Sequence, residues 1–99
     1  MAYQIEFAKA VKAHLEVLTA RQRSTVLDAV ERQLTNEPSK ETRNRKPLRP
    51  NPVAPWELRV SALRVFYEVS EGPPAVVRVL AVGIKERDTL RIDGQEIRL

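Results

Sequence analysis

The sequence predicts an α+β fold, in which an antiparallel sheet of about four to five strands carries an N-terminal helical hairpin on one face. Apolar residues recur at helical spacing in the first third of the chain, whereas from residue 56 onward they alternate with polar ones, as in strands. At 99 residues the chain has the size of one domain with one modest core. We therefore treat residues 1–99 as a single domain.

The N-terminal elements are predicted to be a strand and two helices. Residues 3–7 alternate between apolar and polar side chains, which is typical of a half-buried strand. A helix is predicted over residues 8–19, and a second follows until Pro38, because proline disfavours helix at the preceding residue. Their apolar stripes are Val11, Leu15 and Leu18 in the first helix and Val26, Leu27, Val30 and Leu34 in the second. Two helices joined so closely are expected to form a hairpin.

Residues 37–55 are predicted to form a long, extended, basic loop. They hold five of the seven prolines, a density that no helix or central strand tolerates. Their basic residues are Lys40, Arg43, Arg45, Lys46 and Arg49 against two acidic ones, so three of the four net positive charges lie here. Such a segment beside a folded core fits a polyanion such as nucleic acid, and it fits a solvated linker equally well.

The remainder of the chain is predicted to be β-structure. The predicted strands cover residues 56–60, 63–69, 75–82, 89–92 and 95–97. Ser61-Ala62 is expected to form a tight turn, residues 70–74 are a Gly-Pro-Pro turn, and Asp93-Gly94 is a strong hairpin pair. Gly83 is expected to end the third of these strands. That strand is apolar on both faces except at Arg78, which predicts a central position in the sheet.

The expected turn at Ser61-Ala62 predicts the register of one hairpin. One face would hold the core residues Trp56, Leu58, Val60, Leu63, Val65, Tyr67 and Val69, and the other Glu57, Arg59, Arg64, Phe66 and Glu68. Arg59 would then face Arg64, and two like charges directly opposite each other are destabilising. A bound polyanion would relieve that repulsion. Alternatively, Glu57 and Glu68 would neutralise the two arginines on a solvated sheet face.

The composition excludes several classes of protein and site. The chain has no cysteine and one histidine, so a disulfide scaffold, a thiolate metal site, a zinc site and a Ser-His-Asp triad are not expected. No sequence motif indicates a nucleotide cofactor. No apolar run reaches the roughly 18 residues of a membrane span, and no secretory signal is apparent. We therefore expect a cytoplasmic protein with no cofactor, no metal and no membrane partner.

Several segments together resemble one protein family. They are RNRKPLR at residues 43–49, WELRVSALRVFYEV at residues 56–69 and VLAVGIKERD at residues 79–88. With the short β-α-α start, they resemble the RelE/ParE superfamily of toxins from type II toxin–antitoxin systems, and RelE-like members more than ParE-like ones. The resemblance covers nearly the whole chain and implies a compact sheet with two helices packed on it.

The resemblance also implies a function. RelE-like members are ribosome-dependent mRNA interferases, in which a ribose 2′-hydroxyl attacks the adjacent phosphate in the A-site codon without a metal or cofactor. ParE-like members share the fold and inhibit DNA gyrase without nuclease activity, and a degenerate toxin fold would only bind its antitoxin. The implied partners are a cognate antitoxin, the ribosome and mRNA or else gyrase, and operator DNA only through the antitoxin.

The family pattern can be carried over to five positions of this chain. Arg64 matches the arginine of RelE-like enzymes, and Lys85 stands where a second arginine follows the glycine. Arg59 stands where a basic residue lines the site, whereas Glu57 stands where a lysine is expected, which reverses the charge. Arg91 stands near the family's C-terminal tyrosine, so that aromatic side chain is missing.

These correspondences predict the site residues. The expected catalytic set is Arg64, Lys85, Glu57 and Arg59, and the expected RNA-binding residues are Arg43, Arg45, Lys46, Arg49, Arg87 and Arg91. Arginine stays protonated and cannot serve as a general base. The candidates for that role are therefore Lys85, with a pKa lowered by clustered positive charge, and the carboxylate of Glu57.

Overall fold

The computed structural model describes residues 2–99, which form two helices and seven strands. In chain order these are β1 (Gln4–Phe7), α1 (Val11–Glu16), α2 (Ala20–Leu34), β2 (Arg45–Pro47), β3 (Trp56–Val60), β4 (Leu63–Ser70), β5 (Val76–Glu86), β6 (Thr89–Ile92) and β7 (Gln95–Ile97). The strands form one sheet. No helix within the described residues has both the length and the apolar character needed to cross a membrane.

The long strand β5 organises the sheet. One of its edges pairs antiparallel with β4. The other edge is shared, since residues 76–79 pair parallel with β1 and residues 83–86 pair antiparallel with β6. From β4 the sheet continues through β3 to β2, and from β6 it continues to β7. The predicted hairpins β3–β4 and β6–β7 are confirmed, including Arg59 opposite Arg64 and a turn at Asp93-Gly94 with positive φ at both residues.

Both helices pack on the same face of the sheet, which we call the helical face. The main core lies between them, with Val26, Val30 and Leu34 of α2 against sheet residues such as Leu58 and Val65. α1 has only six residues, and side chains of α2 stabilise the junction between the two helices. The side chain of Thr19 accepts the backbone N–H of Gln22, whose own side chain accepts the Thr19 N–H, in a capping box at the start of α2. Arg23 donates to the carbonyl oxygens of Leu15 and Leu18 at the end of α1.

The opposite side of the sheet, which we call the distal face, carries a second and smaller core. Its buried residues are Ala54, Phe66, Ala81, Leu90 and Ile92, with Leu48, Val53, Leu80 and Ile97 packed against them. A bulge makes this possible, because Phe66 pairs with Ala81 whereas Tyr67 pairs with Val79. Leu80 is the extra residue, so Leu80 and Ala81 both join the distal cluster. The prediction that this strand is central and apolar on both faces is confirmed.

The predicted sheet is corrected in strand number and direction. The sheet has seven strands rather than four to five, and β1 pairs parallel with β5. Alternation in a sequence shows which side chains are buried, but it carries no information on the direction of the neighbouring strand. The added strand β2 has three residues and ends at Pro47. It lies at the sheet edge, where a residue without an N–H costs no ladder hydrogen bond.

The predicted helices and strand ends are also corrected. α1 covers Val11–Glu16 rather than residues 8–19, because residues 9–10 form a turn and Thr19 is the extended N-cap of α2. Gly83 does not end β5, which continues to Glu86. A Cβ atom at Gly83 would lie 2.5 Å from the Arg91 carbonyl oxygen, so this glycine allows β6 to approach closely.

The long loop is ordered by bonds to the rest of the molecule. The hydroxyl of Tyr67 donates to the Pro38 carbonyl at 2.7 Å in a buried setting. Arg45 donates to the backbone carbonyls of Gln33 and Lys40. Asn51 accepts two backbone N–H groups and donates to two backbone carbonyls within residues 49–54. The segment predicted as a loop therefore contains an edge strand, β2, and a hydrogen-bonded turn at residues 49–54 that covers the distal cluster.

Candidate functional site

Strand pairing brings a set of charged residues together on the distal face. Arg59 of β3 lies opposite Arg64 of β4, and Arg64 lies opposite Gly83 of β5. Residues directly opposite in an antiparallel pair share a face, so Lys46 shares the distal face with Glu57, and Lys85 shares it with the buried Leu90. We call Lys46, Glu57, Arg59, Arg64 and Lys85 the charged cluster. It contains the four residues predicted as catalytic.

Glu57 is the buried member of the charged cluster. It is 6% exposed, which is unusual for a carboxylate, and its neighbours on the distal face include the buried Phe66 directly opposite. Its Oε1 accepts a hydrogen bond from Arg59 Nε at 2.7 Å. A buried charge is tolerated when it is paired in this way. The predicted neutralisation of Arg59 by Glu57 is therefore present, whereas Glu68 lies beside Arg78 in the register.

Arg64 lies beside this ion pair at the end of the β3–β4 hairpin. Its Nη1 donates to the carbonyl oxygens of Ser61 and Leu63 at 2.7 and 2.8 Å, which holds the side chain against the turn. Burial lowers the pKa of Arg64, while the Glu57 carboxylate raises it and the Arg59 guanidinium lowers it. Glu57 is therefore the hydrogen-bonded counter-ion of Arg59, and its charge also favours the protonated form of Arg64.

Lys85 extends the cluster toward β6. Its side chain is exposed, and a small cleft joins it to Glu57. The cleft is lined by Glu57, Lys85, Asp88, Leu90, Ile97 and Leu99. The lining is mixed, since three of these residues are charged and three are apolar. An extended ligand crossing the distal face would meet Lys85 and the arginines from the same side.

Lys46 is the cluster member whose place the sequence does not indicate. It is predicted as a loop residue, but β2 sets it opposite Glu57, and its Nζ lies 3.7 Å from the Glu41 carboxylate. The sequence carries no signal for this strand, because Arg45 and Lys46 are both basic and Pro47 argues against a strand.

The other predicted RNA-binding residues do not gather with the cluster. Arg45 lies opposite Leu58 on the helical face and bonds to the end of α2. Arg91 lies opposite Ile84, which packs against the main core, so it too belongs to the helical face. Arg43, Arg49 and Arg87 are exposed. Arg43 lies in the segment before β2, Arg49 lies in the turn that covers the distal cluster, and Arg87 lies in the β5–β6 turn.

The arrangement suits a phosphate group better than a metal ion. Guanidinium groups bind phosphate oxygens through a planar pair of N–H donors, and several fixed cations can stabilise negative charge that develops on those oxygens. Within residues 2–99, no group of three or more His, Cys, Asp or Glu side chains is placed to hold a metal ion. The cluster offers four exposed or half-exposed cations around one buried carboxylate.

Comparison with known proteins shows which solved structure has a similar fold. No protein-family model matches the chain, and no curated protein matches it. Among solved structures, it is similar to a chain of the toxin–antitoxin complex RelBE2 from Mycobacterium tuberculosis, with a TM-score of 0.73 and 24% sequence identity. The match covers 86% of this chain and 93% of that one. The chain therefore has the fold of the RelE-like proteins that its sequence resembles.

Proposed function

We propose that this protein is the toxin of a type II toxin–antitoxin system and that it acts as a ribosome-dependent endoribonuclease that inhibits translation. The observation that carries the proposal is the gathering of Arg59, Arg64 and Lys85 on the distal face of a RelE-like fold. The similar structure is that of a toxin–antitoxin complex, which supports a cognate antitoxin as a partner. The ribosome and mRNA are the further partners that the proposal requires.

The proposed chemistry is a phosphoryl transfer within the RNA. The 2′-oxygen of a ribose attacks the adjacent phosphorus, its proton passes to a general base, and the bond from phosphorus to the 5′-oxygen breaks. That 5′-oxygen takes up the proton, which leaves a cyclic phosphate and a free 5′-hydroxyl. Arg64 and Arg59 would hold the phosphate oxygens, on which negative charge develops. Of the two candidate bases, Lys85 is the exposed one, whereas Glu57 is buried and bonded to Arg59.

The test is primer extension on a reporter mRNA in a cell-free translation system. We expect the wild-type protein to produce cuts within A-site codons, and we expect Arg64→Ala to reduce them by on the order of 100-fold, as loss of one preorganised donor does. Lys85→Ala should reduce them as well if Lys85 is the base. Arg78→Ala is the matched control, because Arg78 is an exposed arginine of β5 outside the cluster. Absence of cuts from a folded wild-type protein would overturn the nuclease proposal.

Three observations favour a second candidate function without nuclease chemistry. Arg59 is paired with Glu57, the Arg64 Nη1 is bonded to backbone carbonyls, and Arg91 stands on the helical face in place of the family's aromatic residue. These features fit a toxin fold that inhibits DNA gyrase, or one that only binds its antitoxin. A supercoiling assay separates the two, because only a gyrase inhibitor reduces supercoiling by purified gyrase.

A further inference from the structure

Glu57 places a negative charge inside the cluster that would hold the RNA phosphate. The strand register sets it two residues from Arg59 on the same strand face and beside the Arg59–Arg64 pair. Its side chain is 8% exposed, whereas that of Arg59 is 47% exposed. The carboxylate is therefore fixed within the sheet, and the guanidinium reaches it from the solvent side.

The hydrogen bond between Arg59 and Glu57 occupies an N–H donor that Arg59 would otherwise offer to a phosphate oxygen. Arg59 Nε, which donates to Glu57 Oε1 at 2.7 Å, belongs to the N–H edge with which arginine binds carboxylates and phosphates alike. Burial lowers the pKa of the neighbouring Arg64, and the Glu57 carboxylate acts against that shift. A carboxylate in this position pairs with Arg59 in the absence of any ligand. It also competes with any anion that approaches Arg59.

The backbone of Arg59 is held in place, so only its side chain is free to respond. The Arg59 N–H donates to the Asn44 carbonyl at 2.7 Å, and the Asn44 side-chain amide donates to the Arg59 carbonyl at 3.0 Å. The backbone N–H of Asn44 donates to the Thr42 hydroxyl and is not available to Arg59. The Asn44 side-chain amide therefore takes the place of the backbone N–H that a neighbouring strand would donate to the Arg59 carbonyl. A change of partner at Arg59 therefore requires rotation of the guanidinium and no movement of β3.

We propose that Glu57 is an internal counter-ion that occupies Arg59 in the free protein and must be exchanged for an RNA phosphate when the site binds RNA. The proposal rests on the proposed function for the identity of the ligand. It implies that Glu57 lowers the affinity of the site for RNA.

The test measures the affinity of a fluorescein-labelled, single-stranded decamer RNA by anisotropy at several salt concentrations. Glu57→Gln keeps the shape of the side chain and an oxygen that accepts a hydrogen bond, but it removes the charge. We expect its dissociation constant to fall by on the order of tenfold, which is the effect of about 1.4 kcal/mol. We also expect the slope of log K against log salt to steepen by about 0.7, which is one added phosphate contact on a single strand.

Glu68→Gln is the matched control. Glu68 is an exposed residue of β4, and among residues 2–99 it forms no ion pair with the cluster. Its replacement changes the net charge by the same amount as Glu57→Gln does. We expect its effect on affinity and salt slope to be clearly smaller than that of Glu57→Gln. Equal gains from the two variants, or no gain from Glu57→Gln, would overturn the proposal.

A measurement on the wild-type protein keeps the proposal testable if Glu57→Gln fails to fold. The Arg59 Nε–H resonance is followed in ¹H–¹⁵N spectra as the decamer RNA is added. We expect it to shift with the RNA while the Arg59 backbone amide, held by Asn44, stays in place. An unmoved side-chain resonance at saturation would contradict the exchange. Because these experiments measure binding alone, a protein that binds the RNA by exchange but makes no cuts would refute the nuclease and leave the counter-ion role intact.

Discussion

A single buried hydrogen bond ties the long loop to the sheet. The Tyr67 hydroxyl joins β4 to the start of that loop through the Pro38 carbonyl. Burial raises the pKa of Tyr67, so this hydroxyl stays protonated and remains a donor. The sequence places Tyr67 in the core, but it does not show that the partner of the hydroxyl is a proline carbonyl 29 residues away.

Tyr67→Phe is expected to destabilise the protein by about 1–3 kcal/mol, since the buried Pro38 carbonyl then has no hydrogen-bond partner. The measurement is urea unfolding followed by circular dichroism. Tyr3→Phe is the control, because the Tyr3 hydroxyl donates to Glu71 in an exposed setting and its removal should matter less. Equal decreases in the free energy of unfolding of the two variants would contradict the buried role of Tyr67.

Gly83→Ala is expected to destabilise the protein by about 1–3 kcal/mol, as overpacking does. The added Cβ would lie 2.5 Å from the Arg91 carbonyl oxygen and 2.9 Å from Ile92 Cγ1, so β6 would have to move. Gly94→Ala provides the comparison, because nothing lies within 4 Å of its Cβ position and only its positive φ opposes the change. A thermal melt of each variant should show the larger drop for Gly83→Ala, and the reverse order would be evidence against the close approach.

At the scale of the elements, the hairpins are predictable from the sequence and the edges are not. The register of β3 and β4 follows from alternation and a two-residue turn, so Arg59 and Arg64 can be paired from the sequence alone. β2 cannot be found in this way, because three residues among prolines carry no periodicity, and the position of Lys46 beside Glu57 depends on it. The ion pair of Glu57 with Arg59 is predicted only as an alternative, since a sequence does not show how deeply a carboxylate is buried.

The attachment of α1 to the sheet is expected to depend on pH. His14 Nδ1 accepts the Val82 backbone N–H at 3.3 Å, which only an unprotonated nitrogen can do. Burial lowers the pKa of His14 below its usual 6.5, and the nearby Asp93 carboxylate acts in the opposite direction. The unfolded chain therefore binds this proton more readily, and the stability contributed by neutral His14 is complete above pH 6.5 and is lost as the pH falls toward the folded-state pKa.

The measurement is the urea midpoint between pH 7.5 and 5.0 for the wild type and for His14→Gln. The glutamine can accept the same N–H through its amide oxygen but does not titrate, so its midpoint should fall less as the pH is lowered. Carboxylates titrate in both proteins and cancel in the difference. Parallel curves for the two proteins would mean that His14 contributes nothing to the pH dependence.

Over the whole molecule, the sheet separates its basic residues onto two sides. Arg59, Arg64 and Lys85 lie on the distal face, whereas Arg45 and Arg91 lie on the helical face. The sequence shows the total charge of +4 and its concentration in residues 37–55, but only the strand register assigns each charge to a side. A ligand bound flat on one face would therefore touch only part of the basic set.

Arg64→Ala is expected to weaken binding of the decamer RNA, while Arg91→Ala, with the same change in net charge, should leave it close to the wild-type value. Removal of one phosphate-binding side chain should also reduce the salt slope by about 0.7, and we expect this for Arg64→Ala only. Anisotropy titrations at matched salt make the comparison. A similar decrease in affinity for both variants would show that the RNA follows both sides of the sheet.

The parallel pairing of β1 with β5 has a consequence for the order of events during synthesis. β1 leaves the ribosome well before its partner at residues 76–79, so it cannot enter the sheet until β5 has been made. The two helices pack mainly on β3, β4 and β5, which are also late. Contacts between distant segments form slowly, because a long loop must close first. Until those strands have been made, the apolar stripes of α1 and α2 have no sheet to pack against, and the charged cluster is assembled only after β5 is complete.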